Sequence, residues 1–131
     1  MNKRRILCFG DSNTYGTNPV GPRYGEDARW PTLLQMLLGE GFRVLEEGFG
    51  GRTIAFDDPV EGGYKSAMDY LPPCLMSHDP LDLVIVMLGT NDTKQRFAMS
   101  APAMRVFNTS LRTGGGEMMS TRAGSPRASA A

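Results

Sequence analysis

Three short polar segments hold the residue types that acyl transfer needs: Gly10-Asp11-Ser12-Asn13, Gly48–Thr53 and Gly89-Thr90-Asn91-Asp92. Ser12 offers a hydroxyl nucleophile and a backbone N–H. Gly51 stands in a glycine-rich turn whose backbone can approach a ligand closely. Asn91 offers a side-chain amide donor. Aimed at one point, the serine N–H, the glycine N–H and the asparagine amide make a three-donor oxyanion hole, each donor worth about 3–4 kcal/mol of transition-state stabilisation. Read singly, Ser12 is a favoured helix N-cap type, and its reading as a nucleophile rests on the three segments together. Asp11 reads as structural support for the same turn. Asp11 and Asp92, two carboxylates without a histidine or further acids, make a poor cation site, so no metal is expected. Arg52 reads as a solvated or loop-pairing arginine in preference to an anion holder.

The elements that must position these segments follow from hydrophobic patterning. Arg5–Phe9, Phe42–Glu46 and Leu83–Leu88 are short apolar runs closed by glycines. The first and third read as strands buried on both faces. Trp30, Leu33, Leu34, Leu37 and Leu38 fall at i, i+3, i+4, i+7 and i+8, which predicts a helix from about Asp27 to Gly39 or Gly41 with that set facing the core. A second, shorter helix is expected from about Lys65 to Tyr70 or Met76. Phe49, Ile54 and Phe56 are candidate acyl-pocket residues, and Trp30 reads as packing. Strand, helix, strand, helix, strand is the alternation of a parallel α/β sheet. All strand C-termini of such a sheet lie along one edge, the edge where open α/β sheets bind ligands, so the three polar segments must converge there.

The whole chain sets the bounds. Its 131 residues make one domain. Lysine plus arginine and aspartate plus glutamate each total 14. That balance gives no electrostatic case for nucleic acid or an anionic membrane. No apolar run is long enough to span a bilayer, and Ile6–Phe9 is too short for a signal peptide, so a soluble cytoplasmic protein is expected. Cys8 and Cys74 are no disulfide framework, and Cys8 reads as a small core residue. Ala101–Phe107 has room for a helical turn. Thr109–Ala131 is rich in glycine and arginine, lacks apolar periodicity and is expected to be disordered.

Phe-Gly-Asp-Ser at residues 9–12, Glu47–Thr53 and Gly89–Asp92 resemble, in order, the first three conserved blocks of the SGNH/GDSL hydrolases. Arg29-Trp30-Pro31, Asp57-Asp58-Pro59, Leu71-Pro72-Pro73-Cys74 and Pro80–Leu83 are similar to the aryl-esterase and acyltransferase branch. The resemblance spans roughly residues 4 to 100 and implies a flavodoxin-like three-layer α/β/α fold with its C-terminal strands missing. Residues 1–100 would be a partial domain and 101–131 an atypical tail. It implies Ser12 as nucleophile, Gly51 and Asn91 as oxyanion donors, small acyl esters as substrates, water or an alcohol as acceptor, and no cofactor. Asn13 stands where the family name expects leucine.

The family's fourth block, Asp-x-x-His, is absent. The chain's one histidine, His78, precedes Asp79 in the wrong order and spacing. It reads as a turn residue near the N-terminal edge of the sheet. A six-residue strand, spanning about 20 Å, separates it from a serine that a general base must approach to about 3 Å. Impaired catalysis is therefore expected. The alternative is a non-catalytic oligomerising fragment, and a homo-oligomer is expected through Leu83–Leu88, exposed as a sheet edge because no strand is expected beyond it, or through the helix after Asn91.

Overall fold

The computed structural model describes residues 2–94 and Phe97, together with the backbone of 118–122 and 128–130. β1 (Arg4–Gly10), β2 (Phe42–Gly48) and β3 (Leu83–Leu88) form the predicted parallel sheet, with β1 between the other two. α1 (Ser12–Tyr15) and α2 (Trp30–Leu38) link β1 to β2, and α3 (Ala67–His78) links β2 to β3. These crossovers run in opposite directions across β1. Right-handedness therefore places α2 and α3 on opposite faces.

Side-chain alternation agrees with that layering. Leu7 and Phe9 of β1 pack with Ala67, Leu71 and Cys74 of α3 and with Val84, Val86 and Leu88 of β3. Ile6 and Cys8 are buried on the other side. α2 starts with Pro31 in its first turn and ends at Gly39, whose φ of +80° suits glycine. Gln35 ties it to the free edge of β2: its amide donates to the Phe42 carbonyl at 2.9 Å and its oxygen accepts the Val44 N–H at 2.8 Å. Two backbone groups of an edge strand are thereby satisfied.

Four expectations are corrected. Leu83–Leu88 is not an edge: β4 (Met118–Arg122) pairs beside it in parallel, and β5 (Ala128–Ala130) pairs antiparallel to β4. The order β2-β1-β3-β4-β5 is the flavodoxin-like one. These two segments of the expected tail are strands, and its other residues, with the helical turn at 101–107, lie outside the described residues. Association through a bare Leu83–Leu88 edge therefore loses its premise. β3 is also not buried on both faces: Val84, Val86 and Leu88 are buried while Leu83, Ile85 and Met87 are half-buried. The core face of α2 is rotated from the five-residue stripe, because Leu37 is 85% exposed and Pro31 is the buried position. Lastly, His78 is no turn residue but the end of α3, which continues through Pro72 and Pro73. No helix among the described residues is long and apolar enough to cross a membrane.

Candidate active site

The first polar segment turns straight from β1 into α1. That turn requires glycine at two places. A Cβ on Gly10 would lie 2.1 Å from Thr14 Oγ1 and 2.8 Å from the Met87 carbonyl oxygen, and one on Gly48 would lie 2.2 Å from the Tyr15 nitrogen. α1 thus rests directly on the ends of the strands. Asp11, 2% exposed, caps it by accepting the Asn13 N–H at 3.0 Å. Burial pushes its carboxyl above the usual carboxylate range, against the pull of the N–H groups it accepts. Ser12 follows as the first helical residue, half-buried, where helix geometry gives the N–H no intrahelical partner. Trp30 packs beside this turn and donates its indole N–H to Thr14 Oγ1 at 3.3 Å.

The second segment is held against the first. The Gly10 carbonyl accepts the Phe49 N–H at 3.1 Å and Arg52 Nη1 at 3.0 Å, and the same Nη1 reaches the Glu47 carbonyl at 2.6 Å. Arg52 is buried with its guanidinium 4.1 Å from the Phe9 ring centroid, and burial lowers its pKa. Of the two roles open to this arginine, loop pairing is the observed one. Gly51 adopts φ +78°, and a Cβ there would touch Lys65 Cε at 3.3 Å. Lys65 itself donates to the Gly50 carbonyl at 2.8 Å and lies over the Phe49 ring.

The third segment closes the set. Asn91 opens a 3-10 turn, Asn91–Thr93, and its amide donates to the Arg52 carbonyl at 3.1 Å. One amide proton thereby fixes the side chain, and a second remains to be donated. Asp92 is fully buried, and its two oxygens accept the Ile54 N–H at 3.2 and 2.9 Å. Its carboxyl is pushed up first by burial and further by the Asp11 carboxylate. Asp11 and Asp92 thus hold backbone, and Ile54 is a core residue instead of a pocket wall. Ser12, Gly51 and Asn91 stand in three segments joined by the Gly10 and Arg52 carbonyls.

Alongside lies a cavity of about 520 Å³ lined by Glu47, Phe49, Arg52, Tyr64, Ser66 and Tyr70 among others. Phe49 is partly exposed on its wall, whereas Phe56 stacks on Phe97. His78 is tied to β1 and β2. Its carbonyl accepts from Arg5 Nη2 at the beginning of β1, and its Nε2 lies 2.9 Å from a Glu47 carboxylate oxygen. Tyr70 donates to the other Glu47 oxygen at 3.1 Å. Sequence reasoning assigned no role to Glu47, Tyr70 or Cys74. The signal for the last two is their i, i+4, i+8 spacing with His78 along α3.

Residues 8–119 match the GDSL-like lipase/acylhydrolase family. An acetylxylan esterase of Xylanibacter ruminicola is 33% identical over 95 residues, covering 69% of this chain and 17% of that protein. An inhibitor-bound aryl esterase of M. smegmatis superposes with a TM-score of 0.80 at 45% identity, covering 85% of this chain and 54% of the other. A carbohydrate acetylesterase of Sinorhizobium meliloti gives 0.81 at 43% identity, covering 86% and 54%. The chain therefore spans about half the length of these solved relatives and a smaller share of the xylan-directed enzyme.

Proposed function

Since the chain belongs to the GDSL-like lipase/acylhydrolase family, we propose that it carries the nucleophile and oxyanion half of a serine ester hydrolase acting on small acyl esters. Ser12 Oγ attacks the ester carbonyl, the bond to the alkoxy or aryloxy oxygen breaks, and the alcohol leaves behind an acyl-enzyme. The Ser12 N–H, the Gly51 N–H and the second Asn91 amide proton receive the developing oxyanion. Water, or an alcohol in the transferase variant, then removes the acyl group. The observation that carries this reading is the pair of shared carbonyls: Gly10 holds the Gly51 segment to the Ser12 segment, and Arg52 holds Asn91 to both. Acetyl esters of sugars or aryl alcohols are the substrates in view, in keeping with the enzymes to which the chain is similar.

The proton on Ser12 has no acceptor of the family's kind. The sequence contains no Asp-x-x-His, and the imidazole of His78 is committed to Glu47. In a serine triad, loss of the base costs about six orders of magnitude in turnover, and the residual rate comes from binding and the oxyanion donors. The test is aryl acetate hydrolysis by the full 131-residue chain with and without added imidazole, which can supply the missing base from solution. A slow rate that rises with imidazole and vanishes in Ser12→Ala supports the reading. A fast rate without imidazole, or one indifferent to Ser12→Ala, defeats it.

A further inference from the structure

Beneath the proposed active edge, β2 and α3 bring together side chains that the ester chemistry does not use. Glu47 pairs with Phe9 on the α3 side of the sheet. Cys74 and His78 are one helical turn apart, so they share a face of α3. A Glu47 carboxylate oxygen, Cys74 Sγ and a His78 ring nitrogen all lie within 4.8 Å of one another. Cys74 is buried, while Glu47 and His78 are half-buried. Tyr70 donates to the second Glu47 oxygen and fixes the plane of the carboxylate.

We propose that Glu47, Cys74 and His78 form a binding site for a zinc-class divalent transition metal. The donor set is one thiolate, one imidazole and one carboxylate, the mixture of S, N and O ligands that zinc accepts in a tetrahedral site. Zinc takes such atoms at about 2.0–2.3 Å, which places ligand atoms roughly 3.3–3.8 Å apart. The His78–Glu47 pair at 2.9 Å must open by a few tenths of an ångström, and Cys74 Sγ, within 4.8 Å of both, must move in by up to about 1 Å. Each is a side-chain adjustment. The cavity that Glu47 and Tyr70 line gives the metal an entry path and its fourth, aqua ligand room. Tyr70 plays the part that outer hydrogen-bond partners play at metal carboxylates.

Charge balances as well. A thiolate and a carboxylate neutralise the dication, and the Cys74 proton leaves to solvent on binding. That release sets the cost: burial and the Glu47 charge push the free thiol to about 12, and the nearby Arg52 guanidinium lowers it in part. The bound metal would staple the last turn of α3 to the end of β2, a structural role. The expectation of no metal was reasoned for Asp11 and Asp92, and this site shares no residue with them. It also stands independently of the esterase reading.

The test titrates the reduced, full-length chain with Co²⁺, which reports coordination through its spectrum. One equivalent should bind with tetrahedral d–d bands and a near-ultraviolet thiolate-to-cobalt band, and Zn²⁺ should displace it. Cys8→Ser should keep the thiolate band. Cys74→Ser should lose it, and His78→Gln should weaken binding by about tenfold or more. Should Cys74→Ser fail to fold by circular dichroism, Glu47→Gln and His78→Gln, both at partly exposed positions, carry the test in its place. Failure to develop a thiolate band, a band that persists in Cys74→Ser, or affinity unchanged in both of the other variants would overturn the site.

Discussion

Two regions of this molecule gather polar side chains, and they gather different kinds. The C-terminal edge of the sheet holds the hydroxyl, the backbone N–H groups and the asparagine amide, and it is built by glycines and shared carbonyls. The α3–β2 seam holds the imidazole, a carboxylate, a phenol and a thiol, linked through Glu47. Both regions are ordered by hydrogen bonds, so order alone does not make a catalytic site. Under the proposed reading the edge receives negative charge, whereas the seam gathers side chains that bind protons and metals. Stabilising an oxyanion and moving a proton are separable tasks, and the proposed reading gives the edge the first of them.

The comparison breaks most sharply at Ser12. Ser12→Ala should remove all imidazole-dependent aryl ester turnover above the protein-free imidazole rate, while His78→Gln should leave that excess within about twofold, an effect of roughly 0.4 kcal/mol. Steady-state kinetics on the two variants side by side checks this. Next in size is Gly48→Ala. Its Cβ would sit 2.2 Å from backbone of α1, which no rotamer change relieves. A loss of about 3 kcal/mol or more in urea unfolding is expected, at the upper end of overpacking costs. Leu71→Ala, in the α3 core, should cost a comparable ~2–5 kcal/mol while leaving the edge segments in place.

The pH dependence separates the regions in another way. Asp11 and Asp92, at the edge, have carboxyls raised by burial. A raised folded-state pKa contributes stability fully below the unfolded value of about 3.9, and that contribution is lost as pH rises through the folded value. The stability of the wild-type chain relative to Asp92→Asn should therefore decline as pH is raised from about 4 toward neutrality, by at most ~1.4 kcal/mol per pH unit. Urea midpoints of both proteins across that range measure it, and a difference that grows with pH would reverse the sign. The two thiols have the same sign at higher pH: Cys8 and Cys74 are each pushed up to about 12, chiefly by burial. Both should resist alkylation at pH 8 until denaturant is added. The smallest effect belongs to Leu37→Ser: on an 85% exposed side chain it should change stability by no more than about 0.5 kcal/mol.

The strands and the polar segments were legible because both carry local signals. Apolar runs ended by glycine announce buried strands, and parallel topology alone brings their C-terminal loops to one edge. The same reasoning misread what depends on distant partners. Leu33 and Leu37 complete an amphipathic stripe, yet both are exposed and Pro31 is the buried position, because one edge of a helical arc can face solvent without a local penalty. Met118 and Met119 sit among glycines and arginines, so nothing in their own neighbourhood announces a strand that pairs with Val84 and Ile85. The helix expected from about Lys65 to Tyr70 or Met76 stops short of His78, so the meeting of His78 with Glu47 and Cys74 is not visible in the sequence. Gly48 was read as a strand end, and only the packing of α1 shows why no other residue fits.

The central claim is that Ser12 is a competent nucleophile facing an oxyanion hole and lacking only a base. The most direct measurement is intact-protein mass spectrometry, with peptide mapping, after incubation with an aryl acetate and imidazole. A single acetyl adduct on the peptide containing Ser12, absent from Ser12→Ala and diminished in Asn91→Ala, is the predicted result. Acetylation confined to lysines, or equal in wild type and Ser12→Ala, would contradict it.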